Sequence, residues 1–247
     1  MKKTTLLRRV SAALTFAILA APLAQGATYG VQQDTSIYEF QFVGNLGGGT
    51  GDSEGILVWN HENVHGTQAL VQFDSAWMQD SALNGNFRAT LNLYSYCTEG
   101  DFVGACPGYD GAETTQTDVY LQATAWDEAD AALAWGDISA RDDALFTTFE
   151  QSGTGGWISI DVTDLIQASL LSGVDYGFVL SQEAYDVIRA DNTSIPVSQF
   201  CDSESSSGFC ASGSFAPFLE IRPVPLPAAV WLFGAALAGL GAIRRKA

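Results

Sequence analysis

The sequence predicts an all-β fold, an antiparallel β-sandwich, and three observations lead to that prediction. Apolar and polar residues alternate with a period of two through most of the middle of the chain, which is typical of strands with one buried face. The segments between these runs are rich in Gly, Asn, Asp and Ser, which favour turns. Helical spacing stands out in only one segment, which is too short to change the fold class.

The alternation is regular enough to assign opposite faces within the predicted strands. In the run that ends at Tyr94, Leu91 and Leu93 share one face. Thr90 and Asn92 share the opposite face with Tyr94. Strands are predicted at 36–43, 55–59, 68–74, 89–94, 118–123, 157–162, 176–180 and 218–221.

A short helix is predicted at 163–171, where apolar residues recur at helical spacing. Thr163 or Asp161 can cap its start, and Gly173 can end it. A second short helix is predicted at 127–134. Both helices would be minor additions to the sandwich.

Signals at both ends of the chain predict export. The start combines basic residues, an apolar run at 10–20 and small residues at 24–27, which is typical of a signal peptide removed by signal peptidase. The end has an apolar run at 229–243 followed by three basic residues, which predicts a membrane helix with a cytoplasmic positive end. The expected organisation is a signal peptide at 1–26, one domain at 27–222, and a sorting and membrane tail at 223–247.

The predicted domain is strongly acidic. Residues 27–222 contain all 28 acidic residues, four arginines and no lysine, so their formal charge is −24. Such a surface repels nucleic acid, and we expect no nucleic-acid partner. The acidity serves either solubility or the binding of a structural Ca²⁺, which prefers carboxylate oxygens. Asp34 and Glu220, near the ends of the predicted sandwich, are the candidate ligands.

Four cysteines form two pairs in the sequence, with eight residues between the members of each pair. An even number of cysteines in an exported chain favours disulfides. We expect the local bridges Cys97–Cys106 and Cys201–Cys210, although three connectivities are formally possible. Zinc is not expected, because the close C-x-x-C spacing of tetrahedral sites is absent.

Motifs that could carry catalysis are present, but their context does not favour an enzyme. His61 and His65 fit the zinc motif H-E-x-x-H, which needs a helix, yet they fall between two predicted strands. Carboxylates are numerous, and a glycosidase pair is defined by its separation in space. A glycoside hydrolase or lyase is therefore our third hypothesis, and a non-catalytic protein is the expectation.

Several sequence blocks follow one another in the order of a known domain family. Residues 67–74 read Thr-Gln-Ala-Leu-Val-Gln-Phe-Asp, 89–94 read Ala-Thr-Leu-Asn-Leu-Tyr, and 156–166 begin Gly-Trp and continue to Asp-Val-Thr-Asp-Leu. They resemble the blocks RALLRFD, ATLRLY and GW-x-x-x-DVT-x-L of the DNRLRE domain family. Further similar blocks lie at 34–37, 126–128, 176–180 and 217–221. The resemblance implies a jelly-roll β-sandwich of secreted and cell-wall proteins, of which some bind polysaccharides and others are assembly modules.

The tail resembles a known sorting signal. A proline-containing motif precedes the apolar run and consists of Val224, Pro225, Leu226, Pro227 and Ala228. Together with the basic end of the chain, it resembles the VPLPA variety of the PEP-CTERM signal. The resemblance implies processing at this motif by an exosortase-type membrane transpeptidase. It also implies transient anchoring in the inner membrane and a final place at the cell surface or in an extracellular matrix.

Polysaccharide binding, which the first resemblance implies, would use aromatic rings that stack on sugars. The candidates are aromatic residues at predicted strand ends or loops, namely Trp59, Trp77, Tyr109, Trp135 and Tyr185. Trp126 and Trp157 fall within family-like blocks, and we expect both in the core. The leading hypothesis is an exported protein that binds or organises extracellular polysaccharide. The alternative is a purely structural or adhesive surface protein without sugar binding.

Overall fold

Strands form most of the described chain, and each pairing between them is antiparallel. The structure is a computed structural model. It describes residues 26–38, 56–58, 67–95, 114–130, 141–152, 155–182, 198–203, 210 and 214–224. The described strands are β1 (Ala27–Tyr38), β2 (Ile56–Val58), β3 (Thr67–Phe73), β4 (Phe87–Ser95), β5 (Thr114–Gln122), β6 (Arg141–Ser152), β7 (Gly156–Asp161), β8 (Phe178–Gln182), β9 (Ser198–Phe200) and β10 (Phe218–Pro223). The predicted all-β class is confirmed.

The strands form two sheets that share β1. In sheet A, β1 pairs with β10, β10 pairs with β4, and β4 pairs on its other side with β7 and β9; β2 lies beside β9. In sheet B the order is β1, β3, β8, β5 and β6. Residues 27–30 of β1 pair in sheet A and residues 31–38 pair in sheet B, and the register shifts between Val31 and Gln33, just after this change of sheet. The chain also crosses between the sheets from β3 to β4, from β4 to β5 and from β6 to β7, as it does in a jelly roll.

The inner faces of the two sheets enclose a hydrophobic core. Alternation along β4 and β7 buries Leu91, Leu93 and Ile160 from sheet A. Val71 and Leu180 are buried opposite them from sheet B. At about 25 cal/mol per Å² of apolar surface, this burial is the main force that holds the sheets together.

Two strands were not predicted from the sequence. One is β9, which has only three residues. The other is β6, in which Phe149 faces the core while Phe146 lies on the opposite face, 50% exposed. Thr147 and Gln151 share the inner register with Phe149, so apolar residues do not mark one face of this strand.

The predicted helix at 163–171 is confirmed as α1, Thr163–Ser172. The N-cap is Val162, which makes no side-chain capping bond, so neither Thr163 nor Asp161 is the cap. The Asp161 carboxylate, one residue earlier, accepts hydrogen bonds from the Thr163 backbone N–H (3.1 Å) and hydroxyl (2.6 Å). Gly173 adopts a left-handed conformation with φ 71° and ends it.

The second predicted helix, at 127–134, is wrong in its described part. Residues 127–130 form a turn, in which the Asp130 N–H donates to the Asp127 carbonyl oxygen (3.0 Å). The Asp127 carboxylate also accepts from the Ala129 N–H (3.0 Å). Such local side-chain bonds give the backbone an alternative to a helix.

Trp77 lies in the core, which corrects its prediction as a sugar-binding residue. Its side chain is 1% exposed within the 3₁₀ segment Ser75–Gln79, and its indole Nε1–H donates to Asp175 Oδ2 (2.7 Å). No face of the ring is therefore open to a ligand. Burial raises the pKa of Asp175, although hydrogen bonds from the Gly177 N–H and the Trp77 indole oppose the rise.

Within the described part of the chain, no helix is both long and apolar enough to cross a membrane. The apolar runs at 10–20 and 229–243, on which the signal peptide and the membrane tail were predicted, lie outside the described residues. Both segments stay predictions.

Candidate functional site

The outer face of sheet A carries the candidate site. Every second side chain of β4 turns away from the core, and β7 and β10 flank this strand in register. Their outward side chains therefore form rows across the face. Tyr94 of β4 stands opposite Trp157 of β7, and Asn92 lies between Ser159 of β7 and Phe218 of β10.

Four aromatic side chains gather at one end of this face; this aromatic patch consists of Tyr94, Trp157, Phe215 and Phe218. The Trp157 ring centroid lies 5.2 Å from those of both Tyr94 and Phe218. The Tyr94 and Phe215 centroids are 4.2 Å apart. Trp157 is 45% exposed, and the other three rings are partly buried. The exposed Trp157 ring and its three neighbours make this end of the face the candidate interaction site.

Hydrogen-bonding side chains lie next to the aromatic patch. The Ser159 hydroxyl donates to Asn92 Oδ1 (2.7 Å), and Asn92 Nδ2 donates to the Thr90 carbonyl oxygen (3.2 Å). These bonds hold the amide of Asn92 in a fixed orientation in the row beside the rings. Asn92 is only 6% exposed, so the hydrogen-bonding group that the face presents beside the rings is the exposed Ser159 hydroxyl.

Two ion pairs occupy the end of the face away from the aromatic patch. Arg88 Nε lies 3.1 Å from Asp161 Oδ2, and a guanidinium nitrogen of Arg222 lies 2.5 Å from Glu220 Oε1. Arg88 and Arg222 stand opposite each other in the register of β4 and β10. Partial burial raises the pKa of Asp161, but hydrogen bonds from Thr163 and the Arg88 guanidinium outweigh it and hold this pKa below its usual range.

The prediction that Trp157 lies in the core is wrong. Ile158 and Ile160 point towards the core, so the residue before Ile158 must turn outwards in a strand. The period-two alternation of this segment therefore already indicated an outward position for Trp157. The prediction for Trp126 is confirmed, since it is 9% exposed and its indole N–H donates to the Tyr176 carbonyl oxygen (2.8 Å).

The other predicted sugar-binding aromatics lie outside the described residues and stay predictions: Trp59, Tyr109, Trp135 and Tyr185. The sequence prediction missed the residues of the aromatic patch. Tyr94 could have been found, because it shares the polar face of its strand with Thr90 and Asn92. Phe215 precedes β10, and its position beside Tyr94 depends on long-range packing.

The two candidate metal ligands do not share a site. Asp34 is fully buried in the part of β1 that belongs to sheet B, where its carboxylate accepts from the Ser203 N–H (3.0 Å). Glu220 lies on the outer face of sheet A, paired with Arg222. In the parts of the chain that the structure describes, no cluster of three or more His, Cys, Asp or Glu could hold a metal ion. Ca²⁺ stays a prediction.

One predicted disulfide is confirmed. Cys201 and Cys210 are bonded, with Cα atoms 5.4 Å apart. The Cys201 N–H donates to the Tyr94 carbonyl oxygen (2.9 Å), so this bridge fixes the chain beside the aromatic patch. Cys97 and Cys106 lie outside the described residues, and their bridge stays a prediction.

Only the first residue of the predicted sorting motif is described. The Val224 N–H donates to the Asn86 carbonyl oxygen (2.7 Å), and Val224 is about half exposed. Residues 225–228 lie outside the described part. No protein-family model matches the chain, and no curated protein matches it. The resemblances to the DNRLRE family and to the PEP-CTERM signal therefore depend on the sequence blocks alone.

Proposed function

We propose that this chain is an exported, exosortase-sorted, non-catalytic surface or extracellular-matrix protein that binds polysaccharide through the outer face of sheet A. The observation that carries the proposal is the aromatic patch, with the exposed ring of Trp157. Sugar rings have apolar C–H faces bordered by hydroxyls, so their sites combine aromatic rings with a few oriented polar groups. The exposed Ser159 hydroxyl, which the buried Asn92 amide orients, supplies such a group next to the patch.

The position of the patch supports a polymeric ligand. It lies at one end of a sheet face, from which a long chain can extend along the outward side chains of β4. The strands beneath it are paired on both sides of β4, and the Cys201–Cys210 bridge lies beside it. A rigid platform loses little conformational entropy on binding, which favours affinity.

Export and sorting are proposed from the two ends of the sequence. The basic and apolar start supports removal by signal peptidase, and 224–228 supports processing by an exosortase-type transpeptidase after transient anchoring in the inner membrane. This route would display the domain among surface polysaccharides, which is the ligand class proposed for the patch. A structural Ca²⁺ remains part of the proposal because the domain carries a charge of −24.

Affinity electrophoresis of the full chain through gels that each contain one polysaccharide tests the proposal. We expect retardation on a polymer of the panel and loss of that retardation in Trp157→Ala. Phe146→Ala is the matched control, because Phe146 is an equally exposed aromatic residue on the outer face of sheet B. Repeating the gels with Ca²⁺ and with EDTA tests the role of the metal.

Two results contradict the proposal. One is the absence of retardation on every polymer, which favours a purely structural coat protein. The other is equal retardation of the wild type and Trp157→Ala, which places any sugar site away from the aromatic patch.

A further inference from the structure

The rings of the aromatic patch do not share a plane. The Trp157 ring is inclined by 88° to the Tyr94 ring and by 66° to the Phe218 ring. The flat surface of a crystalline polysaccharide can lie on several rings at once only when those rings are coplanar. Trp157 is the exposed ring of the patch, and its neighbours pack against it at steep angles, so the patch presents one ring that can stack on a sugar of a single chain and no flat platform of several rings. The patch therefore fits a dissolved chain better than a crystal surface.

The outward side chains of β4 continue the surface away from the patch. After Tyr94 come Asn92, Thr90 and Arg88, with Ser159 of β7 hydrogen-bonded to Asn92. Tyr94 and Arg88 are six residues apart, which corresponds to about 20 Å at ~3.3 Å per residue of strand. The hydroxyls of Ser159 and Thr90 along this track can exchange hydrogen bonds with sugar hydroxyls, whereas the buried Asn92 amide orients Ser159. A polymer laid along β4 would meet the rings at one end and the ion pairs at the other.

The charges along this track cancel. Arg88 pairs with Asp161, and Arg222 pairs with Glu220, whereas residues 27–222 together carry −24. An anionic polysaccharide would be repelled by the domain as a whole. It would also have to compete with two carboxylates for the guanidinium groups. An uncharged polysaccharide meets neither obstacle.

We infer that the outer face of sheet A selects single, uncharged polysaccharide chains in solution, which lie along β4. This inference rests on the proposed function and adds the class of polymer to it. The crossed rings disfavour crystalline surfaces, and the balanced charges on an acidic domain disfavour polyanions.

Three kinds of probe separate the polymer classes, each tested with the full chain at low and at high salt. Hydroxyethyl cellulose, galactomannan and soluble xylan are the uncharged chains; alginate and polygalacturonate are the polyanions. Soluble polymers are cast into affinity gels, and microcrystalline cellulose and chitin are used in sedimentation assays. We expect retardation on an uncharged soluble polymer, with a dissociation constant that does not change with salt.

Two variants test whether the outer face of sheet A is the surface that binds the polymer. In Trp157→Ala we expect the dissociation constant for the uncharged polymer to rise at least about tenfold, which corresponds to about 1.4 kcal/mol or more and removes the retardation at polymer concentrations near the wild-type dissociation constant. We expect no change in Phe146→Ala, and no retardation of the wild type on alginate or polygalacturonate. Sedimentation with cellulose or chitin should equal that of a non-binding protein.

The outcomes separate this inference from the proposed function. Binding to a polyanion or to crystals that depends on Trp157 overturns the inference and leaves the proposed function standing. Binding to no probe, or binding that does not depend on Trp157, overturns both.

Discussion

At the scale of single residues, two tryptophans of this domain have opposite roles. Trp77 donates a hydrogen bond to Asp175, which lies 98 residues further along the chain, and its ring is enclosed by the core. Trp157 has its ring half in water among three other aromatic side chains. The first therefore stabilises the fold, and the second presents a surface.

Trp77→Ala tests this contrast. We expect the free energy of unfolding to fall by about 3–5 kcal/mol, the usual cost of removing a large buried aromatic side chain. Denaturant unfolding measures it, with Trp157→Ala as the matched control that loses less stability. The assignment fails if Trp77→Ala keeps wild-type stability and instead loses polysaccharide retardation.

The burial or exposure of a residue could be predicted from the sequence only where neighbouring residues in the same strand determine it. The outward position of Tyr94 follows from alternation with its neighbours, and the same reasoning applies to Trp157. Trp77 follows directly after a predicted strand, which suggests a loop, but its partner Asp175 comes from a distant segment. Phe215 reaches the aromatic patch through contacts that no local pattern encodes.

At the scale of secondary-structure elements, Asp161 connects β7, α1 and β4. It ends β7, its carboxylate accepts two hydrogen bonds at the start of α1, and it pairs with Arg88 of β4. Each of these interactions favours the ionised carboxylate and lowers its pKa.

Asp161→Ala should lower stability at neutral pH by about 1 kcal/mol, because it removes the hydrogen bonds from Thr163 and the exposed ion pair with Arg88. A carboxyl group whose pKa is lower in the folded state stabilises the fold above its unfolded-state pKa. The difference between wild type and variant should therefore shrink as the pH falls through the lowered pKa of Asp161. Denaturant unfolding at a series of pH values measures this, and a constant difference down to acid pH contradicts it.

The turn before β8 depends on Gly177. This residue has φ 85°, and a Cβ placed on it would lie 2.4 Å from the Val71 carbonyl oxygen. Gly177→Ala should therefore destabilise the protein by more than about 1 kcal/mol. Gly30→Ala is the control, because a Cβ at Gly30 meets nothing within 4 Å. Equal melting temperatures for both variants would show that this turn adapts to a side chain.

Secondary-structure elements were predictable from the sequence where one face of the element is uniformly apolar, as in β4. The strand β6 was missed because Phe146 and Phe149 lie on opposite faces and Gln151 shares the inner one. The start of β1 was missed for a related reason, since its register shift changes which residues face the core. The helix α1 was found because its start and end signals are local.

At the scale of the whole molecule, the high negative charge of the domain lowers the stability of its folded state. A formal charge of −24 in residues 27–222 implies mutual repulsion of carboxylates, which salt screens. We expect the melting temperature to rise as NaCl is added. A further rise with Ca²⁺ at equal ionic strength would identify a bound ion, whereas a melting temperature that falls with salt contradicts the repulsion.

The central claim is that the outer face of sheet A binds polysaccharide, and comparison of three proteins on one affinity gel tests it most directly. The wild type, Trp157→Ala and Phe146→Ala are run with and without polymer after their melting temperatures show that each is folded. We expect the wild type and Phe146→Ala to be retarded equally and Trp157→Ala to migrate as it does without polymer. Equal retardation of all three, or loss in Phe146→Ala alone, would contradict the claim.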